Sequence, residues 1–347
     1  MKKLNLLFVL LCFSVLSFAQ EDKGDFDPHG SFFGKVFFNY HYDLTKDVNQ
    51  ASAFEIKRSY FGAKYALSEK LSTKITFDVG SNSVGSSYTA YLKVAQLDWK
   101  VASRLKLTFG LMGLKQFKDQ EKFWGYRYIY KSFQDQHKFG SSADLGLNAE
   151  IKLHKKIKAN LFVINGEGYK SVQDDFGMHK FGGNIVAKLV DGLTAKVYYD
   201  MNSFKYDKYG NDSIIADTST ISTLAIFVGY EVKDKFRFGA EYNILQNGKK
   251  YSSVAEDYEL SGISVYATYI INKKFEVFGR FDQLSSNKLT GATDSWNNSK
   301  DGNAIIIGGQ YAPIKGVKMA LNYQGWTYAE STIDSKPLVY INFEYKF

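Results

Sequence analysis

The side chains best placed to do chemistry in this sequence are bases that alternate with apolar residues. Arg237 and Arg280 sit midway along two such runs, Lys106 and Lys196 along two others, and Arg58 in a less regular fifth. Lys118, Lys122 and Arg127 lie in an aromatic-rich stretch between runs. Fixed positive charge of this kind, lining a confined aqueous space, raises the local concentration of anions; it does not break bonds. Bond-making chemistry is poorly provided for. The sequence has no glycine-rich phosphate loop, no His-Glu-x-x-His zinc motif and no Gly-x-Ser-x-Gly elbow. His29, His41, His137, His154 and His179 are scattered, and none pairs at metal-ligand spacing. Asn165-Gly166-Glu167-Gly168 leads from a strand-like run into a loop without a helix behind it, and reads as a turn. The expectation is therefore a non-enzymatic protein with no catalytic residue, metal, cofactor or nucleic-acid partner.

Those bases need elements that send alternate side chains to opposite faces, and period-two patterning supplies them. At the C-terminus Val339, Ile341, Phe343, Tyr345 and Phe347 face one way, while Tyr340, Asn342, Glu344 and Lys346 face the other. Sixteen candidate strands recur near 31–42, 53–66, 70–80, 88–99, 103–112, 142–153, 156–165 and 179–189, then near 193–202, 221–232, 235–245, 259–271, 274–284, 303–312, 316–326 and 338–347. The stripes carry no charge, whereas the opposite faces carry many: Lys235, Arg237, Glu241 and Asn243 on one strand, Lys274, Glu276, Arg280 and Asp282 on another. Lipid outside and water inside explains both faces at once, as in an all-β transmembrane antiparallel barrel. Short links such as His154-Lys155 and Lys233-Asp234 alternate with long ones near 43–52, 81–87, 113–141, 166–178, 203–220, 246–258, 285–302 and 327–337. Sixteen strands give that alternation. The runs near 53–66 and 88–99 alternate imperfectly, so fourteen or eighteen strands also fit.

Composition agrees with this architecture. The 347 residues include 25 Tyr, 28 Phe and 4 Trp, too many aromatics for a chain that does not pack. Three prolines against 29 glycines suit a large sheet, and mean hydropathy is −0.27. Lys2 and Lys3, the apolar run Leu6–Phe13 and Ser17-Phe18-Ala19 read as a signal peptide over 1–19. A short periplasmic segment over 20–30 would follow, then the barrel over 31–347. Loss of the leader removes the single cysteine, Cys12, and lowers the formal net charge from +8 to +6. The expected location is the Gram-negative outer membrane, with outer-membrane lipid around the barrel. Phe347 behind an alternating strand resembles the terminal signal read by the barrel assembly machinery.

Residues 31–200 resemble the phosphate-selective porin O/P family in its Bacteroidetes version. The resemblance rests on Phe54-Glu55-Ile56-Lys57-Arg58-Ser59-Tyr60-Phe61-Gly62, on Phe77-Asp78-Val79-Gly80 and on Gly110-Leu111-Met112-Gly113-Leu114-Lys115-Gln116-Phe117. The last segment lacks the proline that the family carries there. Asp144-Leu145-Gly146 and Val163-Ile164-Asn165-Gly166-Glu167-Gly168-Tyr169 also fit. What the resemblance implies is a porin, with homotrimers as its assembly.

A sixteen-stranded barrel is wide enough for an aqueous lumen. The expected function is passive diffusion of small hydrophilic solutes, favouring phosphate-like anions, with Arg58, Lys106, Lys118, Lys122, Arg127, Lys196, Arg237 and Arg280 as the anion-lining candidates. The alternative is a structural or assembly subunit of a larger outer-membrane complex, its lumen blocked. Residues 113–140 hold Lys115, Lys118, Lys122, Arg127, Lys131 and Lys138 against Asp119, Glu121 and Asp135. Phe117, Phe123, Trp124, Tyr126, Tyr128, Tyr130 and Phe133 are too many rings for a loop standing in water. This third long loop is expected to fold into the lumen; packing on a neighbouring protomer is the alternative.

Overall fold

The computed structural model describes residues 26–47, 51–81, 87–173, 177–210, 213–248 and 258–347; side chains are described for these except 204–219. The expected signal peptide and residues 20–25 lie outside that range, as do parts of the long links near 43–52, 81–87, 166–178, 203–220 and 246–258.

Strands whose outward face is apolar leave no water to satisfy a free sheet edge, and closing the sheet removes the edge. The chain does so with sixteen strands. They are β1 (His29–Asp43), β2 (Ser52–Ala66), β3 (Leu71–Ser81), β4 (Tyr88–Ala102), β5 (Leu105–Gly113), β6 (Ala143–His154), β7 (Ile157–Ile164) and β8 (Lys180–Lys188). The second half comprises β9 (Leu193–Gly210), β10 (Ser213–Val232), β11 (Phe236–Gln246), β12 (Leu260–Ile270), β13 (Phe275–Ser286), β14 (Gly302–Tyr311), β15 (Val317–Tyr328) and β16 (Lys336–Lys346). Each strand pairs antiparallel with its chain neighbours, and β1 closes on β16 from Lys35↔Lys346 to Asp43↔Leu338.

The two irregular runs have a local cause. Phe37 pairs with Arg58 but Phe38 with Ile56, so Lys57 is a bulge in β2. Thr76 pairs with Val94 but Phe77 with Leu92, so Lys93 bulges from β4. An extra residue flips the parity of everything beyond it. Phe54 and Ile56 face outward before the first bulge, as Phe61 does after it, and all three are exposed on the outer wall.

One link differs from expectation. Instead of a loop over 203–220, β9 and β10 continue as a paired hairpin from Asn202↔Ile221 out to Gly210↔Ser213. Beyond Asn202 and Ser222 the hairpin has no third strand beside it, because β8 and β11 end there. It therefore projects past the barrel rim. Spanning a bilayer needs only ~9–11 strand residues, and these strands have 18 and 20.

The outer wall is an apolar belt that includes Leu145, Leu161, Ile185, Val228, Ile307 and Leu321, all exposed. The buried apolar side chains lie inside the barrel. Wall residues Phe37, Phe227, Tyr266, Phe278, Ala304, Ile306 and Ala320 form one cluster with Phe123, Trp124, Tyr126, Tyr128 and Ile129 of the third long connection, L3.

Candidate functional site: a lumen narrowed by an in-folded loop

L3 runs from Leu114 to Ser142 and carries two short helices, α1 (Lys118–Trp124) and α2 (Phe133–Gln136). The seven residues of α1 make about two helical turns with one side turned inward and one outward. The Gln120, Phe123 and Trp124 side is buried, while Lys118 and Lys122 are exposed on the other. Gly125 ends α1 in the left-handed conformation at φ 78°. A Cβ there would also stand 2.5 Å from the Arg237 guanidinium.

Burial of L3 follows from its rings. Trp124 is fully buried, with ring centroids 5.1 Å from Tyr126, 5.6 Å from Tyr266 and 5.7 Å from Phe278. Phe123 meets Phe227 at 5.4 Å, and Tyr126 meets Phe278 at 4.2 Å. The wall makes room for them. A Cβ on Gly262 of β12 would fall 2.0 Å from the Phe133 ring, and one on Gly229 of β10 would fall 2.7 Å from Phe123. Tyr126 Oη donates to Glu276 at 2.6 Å, Tyr128 Oη donates to Gln310 at 2.9 Å and Tyr266 Oη donates to the Gln120 carbonyl at 3.0 Å. Wall partners from β10 to β16, and Phe37 of β1, hold the loop inside the barrel. The expectation of an in-folded third loop agrees with this placement.

Three expected anion-lining bases take a different place. Lys196 Nζ donates to the carbonyls of Lys115 and Gln116 at 2.7 and 2.8 Å and to Asp119 at 2.9 Å. Arg237 Nε donates to the Phe123 carbonyl at 2.6 Å. Arg280 grips Asp282 through Nε and Nη2, both at 2.7 Å, and gives Nη1 to the Lys131 carbonyl at 2.8 Å. The Lys196 side chain is 1% exposed and that of Arg280 0%. They lie beneath L3, not along an open passage. Pattern reasoning finds the face of a strand but not what covers it.

The remaining five keep some exposure to solvent. Lys118 and Lys122 are exposed on α1, and Lys118 lies within electrostatic range of Lys74 on β3, which Lys64 of β2 also adjoins. Lys106 on β5 pairs with Asp98 at 3.3 Å. Arg127 is held by Glu121 at 3.1 Å and Asp135 at 2.7 Å, a loop-borne acid–base–acid set. Within electrostatic range of it is a wall set around the expected Arg58, whose other members, Asp78, Lys93, Tyr169 and Lys170, sequence reasoning missed. Arg58 Nη2 donates to Asp78 at 2.8 Å and to Tyr169 Oη at 3.0 Å, and Tyr169 Oη donates to Asp78 at 2.6 Å. The bulged Lys93 adds a bond to Asp78 at 3.4 Å and sits over the Tyr60 and Tyr169 rings. Lys170 lies 4.5 Å from the centre of the Tyr91 ring. Burial and the neighbouring Arg58 and Lys93 press the Lys170 ammonium below its ordinary range, with Asp78 and Asp135 opposing. The available signal was the pair of bulges, which places Arg58 and Lys93 on the inner face.

The Asn165–Gly168 turn is committed too. Asp144 Oδ2 accepts from the backbone N–H groups of Gly166 and Gly168, both at 3.0 Å, which leaves neither for a phosphate. Among the described residues no group of three His, Cys, Asp or Glu side chains gathers at metal-binding distance.

Comparison with known proteins places this architecture. No curated protein matches the chain in sequence. Among solved structures it is similar to the outer membrane channel DcaP of Acinetobacter baumannii, with a TM-score of 0.67, 13% identity and coverage of 94% of this chain and 99% of that one. OmpF of Salmonella typhi, solved with daunomycin, gives a TM-score of 0.67 and 14% identity over 92% and 97% of the two chains. An anion-selective porin of Comamonas acidovorans gives a TM-score of 0.65 and 11% identity over 92% and 100%. At such identities these likenesses establish the fold. The sequence model of beta-barrel porin-2, OmpL-like, matches residues 138–327, more than half of the chain and nine of its strands, from β6 to β14, in full. The chain belongs to the OmpL-like beta-barrel porin-2 family.

Proposed function

We propose that this porin lets small hydrophilic solutes diffuse passively across the outer membrane and favours anions, phosphate-like ones among them. The carrying observation is charge placement: Lys118 and Lys122 are exposed on the solvent side of L3, and Lys118 lies within electrostatic range of the wall residue Lys74, itself a neighbour of Lys64. In a narrow passage of lowered dielectric, a few fixed charges outweigh the same charges on a wet surface. Arg58, Lys106 and Arg127 belong to the same lining in this reading. The similarity to a porin described as anion-selective supports it, as does the resemblance of motifs in residues 31–200 to those of the phosphate-selective O/P family. Export by the 1–19 leader, recognition of Phe347 by the assembly machinery and a homotrimeric state are parts of the proposal. A trimer form is described for OmpT of Vibrio cholerae, a similar structure.

Replacing Lys118 and Lys122 with Glu tests the selectivity. Both side chains are exposed and unpaired among the described contacts, so the loop should stay docked. In a KCl gradient the zero-current potential should move from anion toward cation preference. An unmoved potential would remove these lysines as selectivity elements.

One observation favours a second reading, a structural barrel with a blocked lumen: L3 packs closely along half the wall. That reading requires a wild-type barrel that carries no steady current.

A further inference from the structure

On β9, β11 and β13 a lumen-facing cation is spent on main-chain carbonyls of L3, and two of these cations bracket α1. Lys196 binds the carbonyls of Lys115 and Gln116 just before the helix, together with Asp119 in its first turn. Arg237 binds the carbonyl of Phe123 at the other end. A cation at a helix C-terminus meets the negative end of the dipole. An ammonium has three protons, and Lys196 has three acceptors within 2.9 Å; no donor is left for a passing anion. Its charge is also balanced on the spot by Asp119. Arg237 is likewise near Glu276, at 3.9 Å.

We infer that Lys196 and Arg237 are positioning residues that set the bore of the channel, while its ion preference resides in bases that keep free donors. This rests on the channel reading above. Two pins at the ends of α1 fix how far Lys118 and Lys122 stand from the opposite wall. Freed of them, the helix keeps its buried aromatic face but loses its register along the wall, and the passage widens and fluctuates. The lining charge is unchanged.

The test removes a pin without changing net charge. The double variant Lys196→Met with Asp119→Asn deletes one cation and one anion together. Assembly is checked first by heat-dependent gel mobility. In planar bilayers the assembled variant should show a higher unitary conductance and more open-channel noise than wild type, with the zero-current potential in a KCl gradient unmoved. In liposome-swelling assays it should admit sugars too large for the wild type. Lys196→Arg, which keeps a charged donor beside Asp119, should return conductance and sugar cut-off toward wild type. Should the first pair fail to assemble, Arg237→Gln with Glu276→Gln reports the same property from the other end of α1. Wild-type conductance, noise and cut-off in an assembled charge-balanced variant would overturn the inference. So would a displaced zero-current potential without a change in cut-off, the mark of a charge that selects. A silent wild-type barrel would instead defeat the channel reading itself, so the two failures are told apart.

Discussion

Truncating Trp124 to alanine should release L3 while leaving the barrel standing. The indole is fully buried, touches three rings and donates through Nε1 to the Tyr130 carbonyl at 2.9 Å. The Arg280 guanidinium lies 5.1 Å from its centre. Removing a buried Trp costs about 3–5 kcal/mol. Trp124 belongs to α1, and no inter-strand hydrogen bond passes through it, so the loss falls on loop docking. At 1.4 kcal/mol per tenfold, the undocked population should rise by about two to three and a half orders of magnitude. Trypsin reads that population when reclosing outpaces cleavage, and L3 offers Lys118, Lys122, Arg127, Lys131 and Lys138 as sites. Wild type should resist cleavage in L3 because the loop lies inside the barrel. Trp124→Ala should be cut there at least a hundredfold faster in this limit, with its heat-dependent gel shift intact. Equal cutting of wild type and variant, with both barrels assembled, would refute the docked loop.

Two further outcomes follow from the same geometry. Val228 is 41% exposed on the outer face of β10; Val228→Arg should cost ~2–4 kcal/mol in denaturant unfolding from lipid. Gln96→Arg, on the inner face beside Asp98, should cost much less, and equal costs would mean the faces are misassigned. Burial pushes His137 of L3 down to about 4, with Asp282 opposing and Arg280 assisting. A released loop regains an ordinary histidine near 6.5, so it binds a proton that the docked loop refuses. Docking is then unaffected above pH ~7 and weakens as pH falls from ~6.5 toward 4. Acrylamide quenching of tryptophan should rise over that interval in wild type but stay flatter in His137→Phe; parallel curves would contradict this assignment.

The barrel was legible because strand after strand pairs an uncharged apolar stripe with a charged opposite face, the contrast that lipid outside and water inside impose. Where the period broke, at Lys57 and Lys93, the cause was a single unpaired residue in each strand, which pattern alone registers only as irregularity. The β9–β10 extension was illegible for a different reason. The residues from Ser203 to Thr220 show no period-two contrast of apolar and polar types, so the sequence there looks like a loop. The docking of L3 could be anticipated from its rings, since seven aromatics within 117–133 need a surface to cover. The fate of Lys196, Arg237 and Arg280 could not. Their partners are carbonyls 80, 114 and 149 residues away, and a carbonyl leaves no trace in a sequence.

The most direct test of the central claim is the current carried by a single wild-type barrel in a planar bilayer under a KCl gradient. A water-filled passage narrowed by basic L3 should give steady unitary steps with a zero-current potential on the anion-selective side. An assembled barrel that inserts yet carries no steady current would contradict it.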